Sequence, residues 1–220
     1  MATARRTKRA TERRNRDAEV VDAAIKLFYE KGYAASSIQD VADMVGVLKG
    51  SLYYYISSKE DLLFRILSES HEQARTLMKE VSELDLTAAD RLRAFLERMY
   101  LWYLEHIERV SLYFNQQQYL TGENRTEMLD QQREFDRYVR DLLAEAKQEG
   151  SLRANLDIKL ASFFVLGALN SIPMWYKPSG TYSPEHIATE FAEMSLNSLK
   201  PALAGNDAVT APRKQRAAAR

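Results

Sequence analysis

The chain has 220 residues, with eight glycines, five prolines, no cysteine and a formal net charge of zero. Its length fits one large domain or a small one joined to a larger, and scarce glycine and proline argue against a sheet-rich fold, which needs frequent turns. The lack of cysteine excludes a disulfide framework and thiolate chemistry, and it fits a reducing, cytoplasmic setting.

Zero charge is an average over unlike parts. Arg5, Arg6, Lys8, Arg9, Arg13, Arg14 and Arg16 outweigh Glu12 in residues 1–16, for a balance of +6. Arg213, Lys214, Arg216 and Arg220 give residues 213–220 a balance of +4, so the body between is acidic. A basic arm on an acidic body suits a polyanionic partner at one end. No apolar stretch follows the arm, so it does not read as a secretory signal. Residues 1–16 read as a flexible basic arm and 204–220 as a disordered basic tail.

In chain order, the spacing of Val20, Val21, Ala24, Leu27 and Phe28 predicts a helix over Asp17–Lys31, ended by Gly32. Ser37 caps a second helix, whose apolar stripe is Ile38, Val41, Ala42 and Val45 and which stops at Gly46. A third short helix runs to Ile56, and Ser57 or Ser58 caps a fourth, carried by Leu62 through Val81. Thr87 caps a fifth, to about Ile107; a shorter sixth covers roughly Val110–Leu120, and Thr121-Gly122 breaks it. A long amphipathic seventh ends at Gln148. Asp157 caps an eighth through the apolar run Leu160–Tyr176. That run is about a membrane helix in length, but Ser162, Asn170, Ser171 and Pro173 interrupt it, which favours a buried helix over a membrane span. Ser183-Pro184 opens a last helix through Leu199. The fold class is all-α, with about nine helices and no convincing strand.

Two short helices joined by a glycine turn make a helix-turn-helix, whose second helix enters the DNA major groove. Gly46 tolerates the positive φ of the reversal. Val47 and Leu52 point back into a small core, leaving Lys49, Ser51, Tyr53, Tyr54 and Tyr55 outside. Each helical step turns about 100°, so one tyrosine is expected in the groove and the others on phosphates. Lys59 and Ser37, at helix starts, are expected to face phosphate.

The stretch SSIQDVADMVGVLKGSLYYYISSKEDLL resembles the DNA-binding signature of the TetR family of transcriptional repressors, over about Val20–Leu67. The resemblance implies that Gln39, Lys49, Gly50, Ser51 and Tyr53 face the groove, and Ser37, Tyr54, Tyr55 and Lys59 the phosphates. Leu48 stands where a small polar residue is commoner; it is either a buried plug or a contact to a thymine methyl. Ile56 replaces the usual phenylalanine and keeps its core role. Residues 17–59 have a balance of −2, so attraction to DNA leans on the arm, Arg13, Arg14 and Arg16 included.

Residues 17–60 are then the DNA-binding domain and 61–203 a ligand-binding and dimerisation domain. The apolar eighth helix needs cover on every side, which a twofold mate supplies, and a dimer matches a palindromic operator. Met99, Trp102, Tyr103, Tyr113, Phe114, Met128, Phe135 and Tyr138 either line a ligand cavity or are simply core, and Gln117, Gln132 and Asn170 are polar groups that orient a ligand. The segment MWYKPSG, residues 174–180, resembles an element of those TetR repressors that answer to acyl-CoA thioesters. In that subset the preceding helix lines the tunnel, which brings in Phe164 and Trp175.

Enzyme readings lack a motif. His71, His106 and His186 fall on separate helices without metal-ligand spacing, and no phosphate-binding glycine loop or nucleophile elbow occurs. The expectation is a cytoplasmic, homodimeric, ligand-responsive repressor, not an enzyme. Its partners are operator DNA, a second copy and a small hydrophobic effector, an acyl-CoA by preference; no cofactor, metal or membrane is expected. The alternatives are an activator of the same fold and a helical binding module without DNA activity. Deleting residues 1–14 is expected to weaken binding to every DNA sequence and to flatten its salt dependence. An unchanged salt slope in the truncated protein refutes this.

Overall fold

The first helix, α1 (Ala2–Lys31), starts well before Asp17 in the computed structural model, which describes the backbone of residues 2–201 and the side chains of residues 16–201. Residues 2–16 hold no glycine or proline and are rich in Arg and Ala, so nothing in them stops a helix. The expected arm is thus continuous with α1. The expected tail, residues 204–220, lies outside the described residues.

Helix α2 (Ile38–Val45) opens with a capping box: the Ser37 hydroxyl accepts from the Asp40 N–H and the Asp40 carboxylate accepts from the Ser37 N–H. Gly46 closes it at φ 72°, with the Val47 N–H returned to the Ala42 carbonyl at 3.0 Å. Helix α3 (Lys49–Leu52) is a single turn, shorter than expected. Tyr53, Tyr54 and Tyr55 form the turn that follows it. Ser58 must be extended to cap α4 (Lys59–Ser82), and Ile56 must reach the core, so α3 unwinds first.

The body comprises α5 (Ala88–Glu105), α6 (Ile107–Gln116), a 3-10 turn over Gln117–Tyr119, α7 (Gly122–Gln148), α8 (Ile158–Asn170), α9 (Ile172–Trp175) and α10 (Pro184–Asn197). The eighth predicted helix is thus broken at Ser171, where Pro173 has no N–H for the carbonyl one turn back. Counting α8 and α9 as one broken helix gives nine helices and no strand among the described residues.

Two cores form. One joins α1–α3, the first half of α4 (Leu62, Leu63, Ile66, Leu67), and Leu112, Leu120 and Met128 from the body. The other gathers the rest of α4 with α5, α7, α8 and α10. The head's core therefore extends past residue 60. The α8–α9 segment is not a fully buried helix: Leu160, Phe163, Phe164 and Met174 are exposed, as is Met194 on α10. Among the described residues, nothing covers that face.

A Cβ built on Gly46 meets no atom within 4 Å, so substitution there tests backbone conformation alone. Gly46→Ala is expected to cost about 1 kcal/mol from its left-handed φ, read as a lower urea midpoint at unchanged slope.

Candidate functional site

The exposed edge of the head runs from the start of α3 into the tyrosine turn. Leu48, 81 % exposed, precedes the helix, which rules out a buried plug. Lys49 and Gly50 are exposed and Ser51 is half-buried. Tyr54 is 79 % and Tyr53 is 53 % exposed. Tyr55 differs: it packs against the head core, so the turn presents two outward rings rather than three. Gln39 is also exposed, its Nε2 donating to Asp43 Oδ1 at 2.7 Å. The Ser37 hydroxyl is spent on Asp40, donating to Oδ2 at 2.8 Å. Hydrogen bonds from Lys31 and Ser37 hold the Asp40 carboxyl below its usual range.

Lys59 does not reach outward. Its Nζ donates to the Tyr33 carbonyl and lies over the Tyr33 ring, 4.1 Å from the centroid. Burial pulls its pKa down. The expected phosphate contact is replaced by an internal one: the turn after α1 leaves a carbonyl facing the first residue of α4, and the ammonium takes it. Arg16 pairs with Glu19 at 2.9 Å on the surface, while the side chains of Arg13 and Arg14 lie outside the described residues. Tyr33, which sequence reasoning passed over, packs on Phe28 and on Tyr119 of the body, with centroids 5.1 and 4.9 Å apart.

Polar links join head to body along α4. Arg65 grips Asp17 of α1, with Nη1 to Oδ1 at 2.7 Å, and reaches Glu69 Oε1 at 2.9 Å. Glu69 Oε2 accepts from Arg109 of α6 at 3.1 Å. At the head end, Glu60 accepts the Thr121 N–H at 2.7 Å and so caps the start of α7.

Beyond these links, α4–α7 line a small cavity with Ser70, His71, Ala74, Met99, Trp102, Tyr103, Val110, Tyr113 and Phe135. Its interior is about 30 Å³, room for a water or two rather than an acyl chain. Five of the candidate ligand residues meet here: Met99, Trp102, Tyr103, Tyr113 and Phe135. Burial raises the pKa of the Tyr113 hydroxyl against the opposing Gln132 hydrogen bond. Gln132 in turn bonds Gln117 at 2.6 Å. Phe114 flanks this group, 5.2 Å from Tyr113 between centroids. The rest lie elsewhere. Met128 belongs to the head core. Tyr138 packs on Phe95 and donates to the Met78 carbonyl at 3.1 Å. Phe164 and Asn170 face solvent on α8, and Trp175 stacks on Phe191 of α10. Helix α8 packs on α7 and α9 on α6, but none of these three residues lines the cavity. His71 was missed, because a lone histidine within a helical apolar stripe carries no motif.

Residues 20–66 match the family described as Bacterial regulatory proteins, tetR family, and residues 85–199 that described as Tetracyclin repressor-like, C-terminal domain. The chain belongs to the TetR family of transcriptional regulators. It is 27 % identical over 185 residues to the HTH-type transcriptional repressor KstR2 of Rhodococcus jostii, covering 84 % of this chain and 91 % of that one. The structure of KstR2 of Mycobacterium tuberculosis superposes with a TM-score of 0.79 at 22 % identity, over 85 % of this chain and 96 % of that one, a likeness of fold. That of AibR in complex with isovaleryl coenzyme A and operator DNA superposes with a TM-score of 0.74 at 25 % identity, over 86 % of this chain and all 100 % of that one.

Within this TetR-type head, Leu48 and Lys59 separate cleanly. Leu48→Ala is expected to weaken operator binding about five- to tenfold, from a lost methyl contact, with an unchanged unfolding midpoint. Lys59→Ala is expected to lower stability by about 1–2 kcal/mol, because its hydrogen bond is charged and partly desolvated. Equal stability of the two variants counts against this division.

Proposed function

We propose that the chain is a homodimeric repressor that binds an inverted-repeat operator and is released by a small hydrophobic effector, an acyl-CoA by preference, in the cytoplasm. The observation that carries this reading is the double duty of α4. Its first turns belong to the head core, and Ser70, His71 and Ala74 further along wall the cavity. Leu48, Lys49, Gly50, Ser51 and Tyr53 face the groove, with Gln39 beside them. Tyr54 and the arm, including Arg13, Arg14 and Arg16, serve the phosphates. The exposed apolar face of α8, α9 and α10 pairs with its twofold mate, burying Phe163 and Phe164.

The small size of the cavity supplies the switch. An acyl chain fits only if α4 parts from α5 and α6, so the effector prefers the parted form, and that preference is what allows it to shift the equilibrium. Asp17 and Arg109 hold α4 to α1 and α6, so parting the cavity re-aims the head. The AibR complex supports a coenzyme A thioester as the effector class.

The test is retention of a palindromic operator against excess random DNA, followed by titration with lauroyl-CoA and isovaleryl-CoA. Release at micromolar thioester from a protein that sediments as a dimer is expected. Retention without release by either thioester counts against the effector. Loss of preference for the palindrome counts against the repressor.

A further inference from the structure

His71 is the one titratable side chain of the cavity lining besides the two tyrosines, and it is only 3 % exposed. No lysine, arginine or carboxylate lines the space. The His71 Nε2 lies 3.3 Å from Glu134 Oε2. Glu134 also accepts from Arg75 Nε, at 2.9 Å through Oε2 and 3.1 Å through Oε1. Burial pushes the Glu134 carboxyl up, but the His71 and Arg75 hydrogen bonds together hold it low. An ionised carboxylate only accepts, so Nε2 carries the proton. Burial, the largest influence on His71, holds its pKa below the ordinary value against the opposing Glu134 hydrogen bond, which favours the neutral ring. A neutral imidazole has one N–H, so Nδ1 is left with a lone pair. Among the described residues, no protein group bonds it. The two ring nitrogens point away from each other. With Nε2 spent on a partly exposed carboxylate, Nδ1 is the ring nitrogen of this cavity-lining residue left without a protein partner among the described residues.

We propose that the cavity takes a hydroxylated acyl chain, with the ligand hydroxyl donating to His71 Nδ1. This rests on the reading that an acyl thioester is the effector, and it goes further by fixing the substituent. A free carboxylate finds no cation in the lining and an ammonium no anion. An aliphatic hydroxyl is the smallest neutral donor that an otherwise apolar chain can bring past Met99, Trp102, Val110 and Phe135. Glu134 and Arg75 act as positioning residues: they fix the tautomer from outside the cavity.

The test is calorimetric titration of the full chain with lauroyl-CoA, β-hydroxylauroyl-CoA and ω-hydroxylauroyl-CoA, the last two placing the hydroxyl at opposite ends of the chain. The wild type is expected to prefer one hydroxylated thioester over lauroyl-CoA by about tenfold, the worth of one buried hydrogen bond. His71→Asn, which leaves an acceptor where Nδ1 stood, is expected to keep most of that preference. His71→Gln, which reaches Glu134 but abandons the Nδ1 position, is expected to lose it. Equal affinity for the three thioesters, binding of none, or an undiminished preference in His71→Gln overturns the proposal. Release of the operator by lauroyl-CoA alone leaves the acyl-CoA repressor reading standing while this proposal falls.

Discussion

The structure depends on α4 being a wall of two rooms. Leu62, Leu63, Ile66 and Leu67 are wholly buried in the head core, and Ala74, Met78 and Val81 are buried in the body core. Neither core closes without this helix, since each uses it for one side. Close-packed interiors resist small continuous adjustments, so a change in one core that moves α4 must be answered in the other. The ion chain from Asp17 through Arg65 and Glu69 to Arg109 lies where the two cores meet. Each pair is partly exposed and contributes little stability alone. What the chain contributes is geometry, because a bidentate arginine accepts only a narrow range of positions.

Most of the fold is legible in the sequence because it was written in local signals. Ser37, Ser58, Thr87, Asp157 and Ser183 each cap the helix expected of them, and Gly46 takes the left-handed turn expected of it. A cap is a contact within a few residues, so a sequence displays it. What the sequence concealed was long-range. Lys59 looks like a free cation until the Tyr33 carbonyl is brought beside it. Tyr55 looks like its two neighbours until the turn tips it onto the core. His71 has no partner in its own neighbourhood of sequence, and Glu134 reaches it only through the packing of α7 on α4.

The candidate ligand residues divide for the same reason. Helical spacing places Met99, Trp102 and Tyr103 on one face of α5, and that face does line the cavity. Spacing cannot say which of two cores a face serves, and Met128, on an equally apolar stripe of α7, went to the head. The α8–α9 face shows a further limit. Its apolar run reads as something to be covered, yet the described residues cover only part of it, and spacing within one helix cannot name what covers the rest.

The bond between Glu60 and Thr121 has a consequence for where the molecule keeps its order. No side chain of α7 caps that helix's own start; the cap is lent by the first turn of α4. The opening turn of a long body helix is therefore finished only while the head is docked. Any motion that swings the head away also frays α7 at the end nearest Met128. The two domains then share a terminus as well as a wall, and loosening either one is felt as melting in the other.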